Sequence, residues 1–122
     1  MRPASEGPSG GPGSQVTTHV LDAAFGGPAV GVGVTFDRQV DERWMEIGGG
    51  ATDGDGRIPA LGPARLDPGV YRLVFATGDY FRSTRRPSFY PEVQIVFEIL
   101  DSTHHHVPLL LSPFAYSTYR GS

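Results

Sequence analysis

The chain has 122 residues and a mass of 13.1 kDa, enough for one hydrophobic core and not two. Its formal charge of −3 and isoelectric point near 5.7 exclude the basic footprint of a nucleic-acid binder. The absence of cysteine excludes disulfides and thiol chemistry. Seventeen glycines and eleven prolines favour turns and short strands over long helices. All ten basic residues are arginine, which reads as a compositional bias of the coding sequence and not as a functional signal. No apolar run approaches bilayer-spanning length, and the opening "MRPASEGPSGGPGS" lacks the apolar stretch of a secretory signal, so a soluble, cytoplasmic protein is expected.

Residues 1–14, rich in Pro, Gly and Ser and without apolar periodicity, are expected to be a disordered extension, leaving 15–122 as the single domain. "QVTTHVLD" (15–22) alternates Val16, Thr18 and Val20 with Thr17, His19 and Leu21, the period-2 pattern of a strand. "FGGPA" is a turn. "VGVGVTFD" (30–37) reads as a second strand whose glycines suggest a bulge or close backbone approach. "RWMEIGGGATD" (43–53) is a shorter strand running into "TDGDGR" (52–57), where Asp-Gly supplies a turn. "RIPAL" is predicted to be a short return strand, and "LDPGVYRLVFAT" a turn followed by a strand. Residues 77–86 form the predicted helix, of two to three turns, stopping before Pro87. "PEVQIVFEIL" (91–100) alternates with Val93, Ile95, Phe97 and Ile99 on one face. A turn at 101–103 leads into the strand "HHHVPLLLSP" (104–113), and "FAYSTYRGS" follows. Seven or eight short strands and one helix predict an all-β, two-sheet β-sandwich.

The chemically interesting groups are His19, Arg57, the run His104–His105–His106, and Tyr119 with Arg120 in the last five residues. On a strand, His104 and His106 share one face and His105 takes the other. A lone strand histidine is most often a surface residue. Here, however, His19 interrupts an apolar, β-branched strand, and the triplet leads directly into an apolar run. Two readings are open. Two histidines at i, i+2 with a third from elsewhere, the set His19, His104 and His106, can hold zinc, with Glu98 or Asp101 as the carboxylates that orient the rings. Alternatively the imidazoles act as metal-free acid and base, with an arginine beside them to stabilise an oxyanion and keep a histidine neutral. Serine nucleophiles are disfavoured: Ser112 and Ser117 lie near the histidines in sequence, but there is no G-x-S-x-G elbow. Asp53 and Asp55 suggest a calcium loop only superficially, since the other EF-hand ligands do not follow.

Seven segments in order, "TTHVLD", "GGPAVGVGV", "TDGDGRI", "YRLVFATGDYF", "FYPEVQIVFEI", "HHHVPLLLSP" and "YSTYRGS", resemble the 5-hydroxyisourate hydrolases, or transthyretin-related proteins, from about residue 15 onward. The terminal YRGS distinguishes that family from the hormone-binding transthyretins of the same fold. The resemblance implies a prealbumin/transthyretin-like sandwich, assembled as a homotetramer (a dimer of dimers) with active sites in the channel where dimers meet. It implies hydrolysis of 5-hydroxyisourate to a ureidoimidazoline in urate degradation, without metal or other cofactor. Catalytic roles are implied for His19, Arg57 and His106, and substrate contacts for His19, Arg57, Tyr119, Arg120, Gly121 and Ser122. Which histidine is the base is left open. His105 stands where the family often has tyrosine. The rival carried by the shared fold is a transthyretin-like protein that binds a small ligand without chemistry.

Overall fold

In the computed structural model, which describes residues 13–122, two four-stranded sheets face each other across one core. The elements run β1 (Val16–Asp22), β2 (Gly27–Pro28), β3 (Gly33–Val40), β4 (Arg43–Ala51), β5 (Gly69–Phe75), α1 (Thr77–Ser83), β6 (Val93–Ile99), β7 (His105–Ser112) and β8 (Ala115–Thr118). One sheet has the order β2-β1-β7-β8 and the other β4-β3-β5-β6. All pairings are antiparallel except β1 with β7, which lie parallel with Thr17 opposite His106 and His19 opposite Pro108.

The alternation in the sequence becomes the two faces of each sheet. Val16, Thr18, Val20 and Asp22 of β1, with His105, Val107, Leu109 and Leu111 of β7, point into the sandwich and are buried. Opposite them lie Phe36, Tyr71, Leu73, Phe75, Val93 and Ile99, also buried. Phe36, Tyr71 and Phe97 form a ring cluster with centroids 5.8–6.4 Å apart. Such side chains contribute roughly 1.5–3 kcal/mol each when fully buried, so this seam dominates the energetics.

Residues 1–12, most of the predicted disordered extension, lie outside the described residues. Other boundaries differ from the sequence expectation, beginning with the expected "FGGPA" turn, in which Gly27 and Pro28 pair with β1 as β2. The strand expected from residue 30 begins only at Gly33. Its first residues are held by the buried Thr52 instead: the Thr52 hydroxyl donates to Ala29 O (2.7 Å) and accepts from Val32 N (2.8 Å). "RIPAL" is not a strand. Pro59 lacks an N–H for a ladder, and Ile58 and Leu61 instead turn into the core. The helix ends at Ser83, not Arg86, because Arg85 adopts φ 58° and Arg86 N closes back on Phe81 O (2.9 Å), a left-handed C-terminal cap.

Behind the sheet, Asp22 is fully buried at the end of β1. It accepts from Tyr80 Oη (2.7 Å) and Arg86 (2.5 Å), tying the helix segment to β1. Burial alone would raise this carboxyl's pKa, but the bonds from Arg86, the Phe25 amide and Tyr80 together hold it below the usual value.

Candidate active site on the outer sheet face

Two short turns bring the candidate residues to the outer face of the β2-β1-β7-β8 sheet. The first is the Asp-Gly turn. Asp53 Oδ1 accepts from the amides of Asp55 (2.9 Å) and Arg57 (3.0 Å), and Gly56 N donates to Asp53 O (2.9 Å). Gly56 takes φ 77°, and a Cβ there would lie 2.5 Å from Val20 O and 3.3 Å from His19 Cδ2. Only glycine allows the turn to press this close, and Val20 N then donates to Gly56 O (2.8 Å). The result is an antiparallel bridge that sets Arg57 directly opposite His19. Side chains opposite each other in such a bridge share a face.

The second turn is the return of the tail. Gly121 N donates to His106 O (2.8 Å), making an antiparallel bridge between these two residues. A Cβ on Gly121 would stand 2.5 Å from His106 Cδ2, so here too a glycine lies flat against an imidazole. Upstream, Gln15 fixes the register of the histidine run. Its Nε2 donates to the carbonyls of Asp101 (3.0 Å) and Thr103 (3.2 Å), and its own carbonyl accepts from His105 N (2.9 Å).

The histidine triplet splits as strand geometry requires. His105 is buried and donates Nδ1–H to Thr103 O (2.6 Å), a core role. His104 and His106 stay on the outer face, ring centroids 6.2 Å apart, with Thr17 of β1 between them. Thr17 Oγ1 lies 2.7 Å from His104 Nε2 and 2.8 Å from His106 Nδ1. The pKa of His106 is lowered from the ordinary 6.5, first by desolvation, then by the charge of Arg57 and by His104 and His19; a hydrogen bond to the Thr17 backbone opposes these. His104 is also lowered, by desolvation and then by His105. Both rings are therefore neutral at neutral pH, with a lone pair available. The Arg57 guanidinium forms no ion pair among the described residues. Asp53 feels its charge but is spent on backbone amides.

His19, Arg57, His106 and Gly121 thus share one neighbourhood. Tyr119 and Arg120 border a pocket of about 270 Å³ between β6 and the tail, which His106 also lines, together with Ile95, Phe97 and Val107 and with Glu98 at its side; His19 and Arg57 do not line it. Arg120 is close enough to Asp101 to lower that carboxyl, whose stronger partners are the Thr103 hydroxyl and amide. Ser122 is exposed. Neither Glu98 nor Asp101 hydrogen-bonds an imidazole, and among the described residues no three His, Asp or Glu side chains converge as a metal ion would require. Thr17 and Gly56 were not singled out from the sequence. Thr17 shares the His19 face by period two, but its meeting with the triplet depends on the parallel β1–β7 pairing, which no local pattern announces.

Fold and site together define a transthyretin-like sandwich carrying a His/Arg cluster on an outer sheet face. Among solved structures it is similar to Klebsiella pneumoniae 5-hydroxyisourate hydrolase, with a TM-score of 0.79 and 37% identity over 88% of this chain and 97% of that one. It is also similar to sea bream transthyretin in complex with thyroxine, with a TM-score of 0.82 and 31% identity over 88% and 94%. The 5-hydroxyisourate hydrolase of Mus musculus is 47% identical over 113 residues, 89% of this chain and 96% of the mouse protein. Residues 16–121 match the model of the HIUase/Transthyretin family, and the chain belongs to that family. Among the described residues no helix is long and apolar enough to cross a membrane.

Proposed function

We propose that this chain is a metal-free, cytoplasmic 5-hydroxyisourate hydrolase whose domain spans residues 15–122, with His106, His19 and Arg57 as its catalytic residues. The observation that carries this is the meeting of a lone-pair-bearing His106, His19 and an arginine without a carboxylate partner on one sheet face. His106 Nε2 has no protein partner among the described residues. It takes a proton from water as the water oxygen bonds to the ring carbonyl carbon. The carbonyl oxygen becomes an oxyanion, which the Arg57 guanidinium stabilises. As the oxyanion collapses, the carbon–nitrogen bond breaks and His19 passes a proton to the leaving nitrogen. The proton that His106 took from water passes through solvent to His19, so both imidazoles return to their starting states.

His106 lines the concave pocket beside Tyr119 and Arg120, whereas His19 and the exposed Arg57 lie outside it, so that side of the reactive face is open in a single chain. A second copy facing it would supply a wall and exclude water, which supports the reading of a homotetramer with sites between dimers. In that assembly Tyr119, Arg120 and Ser122 would contact substrate from the tail. The direct test generates 5-hydroxyisourate with urate oxidase in the cuvette and follows its ultraviolet decay in EDTA. Decay faster than the spontaneous rate is expected. Spontaneous-rate decay in the presence of folded protein would overturn the reading in favour of a ligand-binding sandwich or a required metal.

A further inference from the structure

We infer that Thr17 is a positioning residue: its one hydroxyl, shared between His104 and His106, fixes the tautomers of both rings together and leaves His106 Nε2 as the basic nitrogen. A threonine hydroxyl has one hydrogen to give and two lone pairs. Placed 2.7 Å from His104 Nε2 and 2.8 Å from His106 Nδ1, it can donate to one ring while accepting from the other. Which ring nitrogen carries the proton is set by the bond the other nitrogen makes. If Thr17 donates to His104 Nε2, it accepts Nδ1–H from His106, and His106 presents a bare Nε2. If the hydroxyl turns round, His106 carries its hydrogen on Nε2 and cannot accept a proton from water there.

The surroundings select the first arrangement when His104 is neutral with its proton on Nδ1. His106 Cδ2 abuts Gly121, so Nδ1 is the edge turned toward β1 and Nε2 the edge turned away. The groups whose charge reaches His106 are Arg57, His104 and His19. Proton gain at His104 puts a donor on both its nitrogens, and Thr17 must then accept from it. The hydroxyl either leaves its own hydrogen unpaired or gives it to His106 Nδ1, which removes the base. His104, with no assigned contact to substrate, thereby acts on the reaction through Thr17. The inference rests on the reading of His106 as the base.

The test compares Thr17→Val, Thr17→Ser and His106→Asn in the full chain, by turnover of 5-hydroxyisourate across pH and by ¹⁵N NMR of histidine-labelled protein. Valine keeps the shape of a β-branched strand residue while removing the hydroxyl. In the parent, His106 is expected to show a protonated Nδ1 and a bare Nε2. Thr17→Val should lose that tautomer and lower kcat by about tenfold, the worth of one hydrogen bond, while KM changes little. Thr17→Ser should restore both. A Thr17→Val protein with the parent's rate, or with an unchanged His106 tautomer, overturns the inference, as does a serine variant that recovers neither. Full activity in His106→Asn would instead sink the base assignment, while the tautomer spectra would still report whether Thr17 orders the rings.

Discussion

The two sheets present opposite kinds of outer face. On β4-β3-β5-β6, polar groups answer one another: Arg72 Nε bonds Asp37 Oδ2 at 2.6 Å, and the guanidinium lies 4.5 Å from the Trp44 ring centroid and reaches Gln94 at 3.5 Å. On β2-β1-β7-β8, Arg57 has no ion pair among the described residues, and two imidazoles share a single hydroxyl. Stability is served by the first arrangement, since a paired, stacked arginine costs little to desolvate. The second leaves donors and acceptors unspent, which is what a face that must meet a polar heterocycle requires. The difference separates residues that hold the fold from residues that the proposed function assigns to the substrate.

The sharpest way to break that contrast is to exchange the consequences. His106→Asn and Arg57→Ala should each lower kcat/KM by about 10²–10⁴-fold. Their melting temperatures should stay near the parent's, because neither change opens the core. Arg72→Ala should behave in the reverse sense. It strands the Asp37 carboxylate, 6% exposed, at a cost of about 1.5–3 kcal/mol for the lost charged bond, and leaves turnover within about twofold. A large activity loss in Arg72→Ala, or a collapse in melting temperature with full specific activity in Arg57→Ala, would erase the distinction.

Within the reactive face, the two glycines that abut the histidines should also part company. Gly56→Ala places a side chain at φ 77° and against Val20 O, at the one buried position of the Asp53–Arg57 turn. A loss of about 1–3 kcal/mol is expected, seen as a lower urea midpoint, together with reduced turnover as Arg57 shifts. Gly121→Ala pushes only the exposed tail away from His106. It should lower kcat/KM by about 10²-fold, the cost of a displacement near 1 Å, with little change in the urea midpoint. Equal stability losses in both variants would mean that the tail is as structural as the Asp-Gly turn.

The strands were legible because burial on one face forces period-two alternation, as in Val93, Ile95, Phe97 and Ile99. The Asp-Gly turn was legible because few residues tolerate positive φ. "RIPAL" misled because a short apolar run looks the same whether it pairs in a sheet or plugs a core. Arg85 in a left-handed conformation shortened the helix without any glycine to announce it. Within the site, His19, Arg57 and His106 stood out as polar residues set in apolar or turn contexts. Their adjacency, and Thr17 with it, came from pairings between residues roughly forty to ninety positions apart, which no local pattern carries.

The smallest effect expected is a difference in how acid acts on the two ends of β1. His104 and His106 have pKa values lowered from 6.5 in the folded chain, so the unfolded chain takes up protons first as pH falls. Stability is then constant above about pH 6.5 and declines below it, the direction required when the unfolded state binds more protons. Asp22 is lowered from 3.8, so its contribution is complete above that value and is lost only as pH falls through its folded pKa. Urea midpoints should therefore decline gently from pH 7 to 5, by less than Gly56→Ala causes, and fall again only below pH 4. Replacing both His104 and His106 with asparagine should flatten the upper decline and leave the lower one. Asp22→Asn should lessen the lower fall, leaving the part owed to Asp53 and Asp101, and start from a less stable protein, because Arg86 loses its carboxylate. If the double asparagine variant keeps the parent's full slope between pH 7 and 5, the proton uptake belongs elsewhere, and the neutral state of His106 would have to be sustained by substrate and not by the sheet face itself.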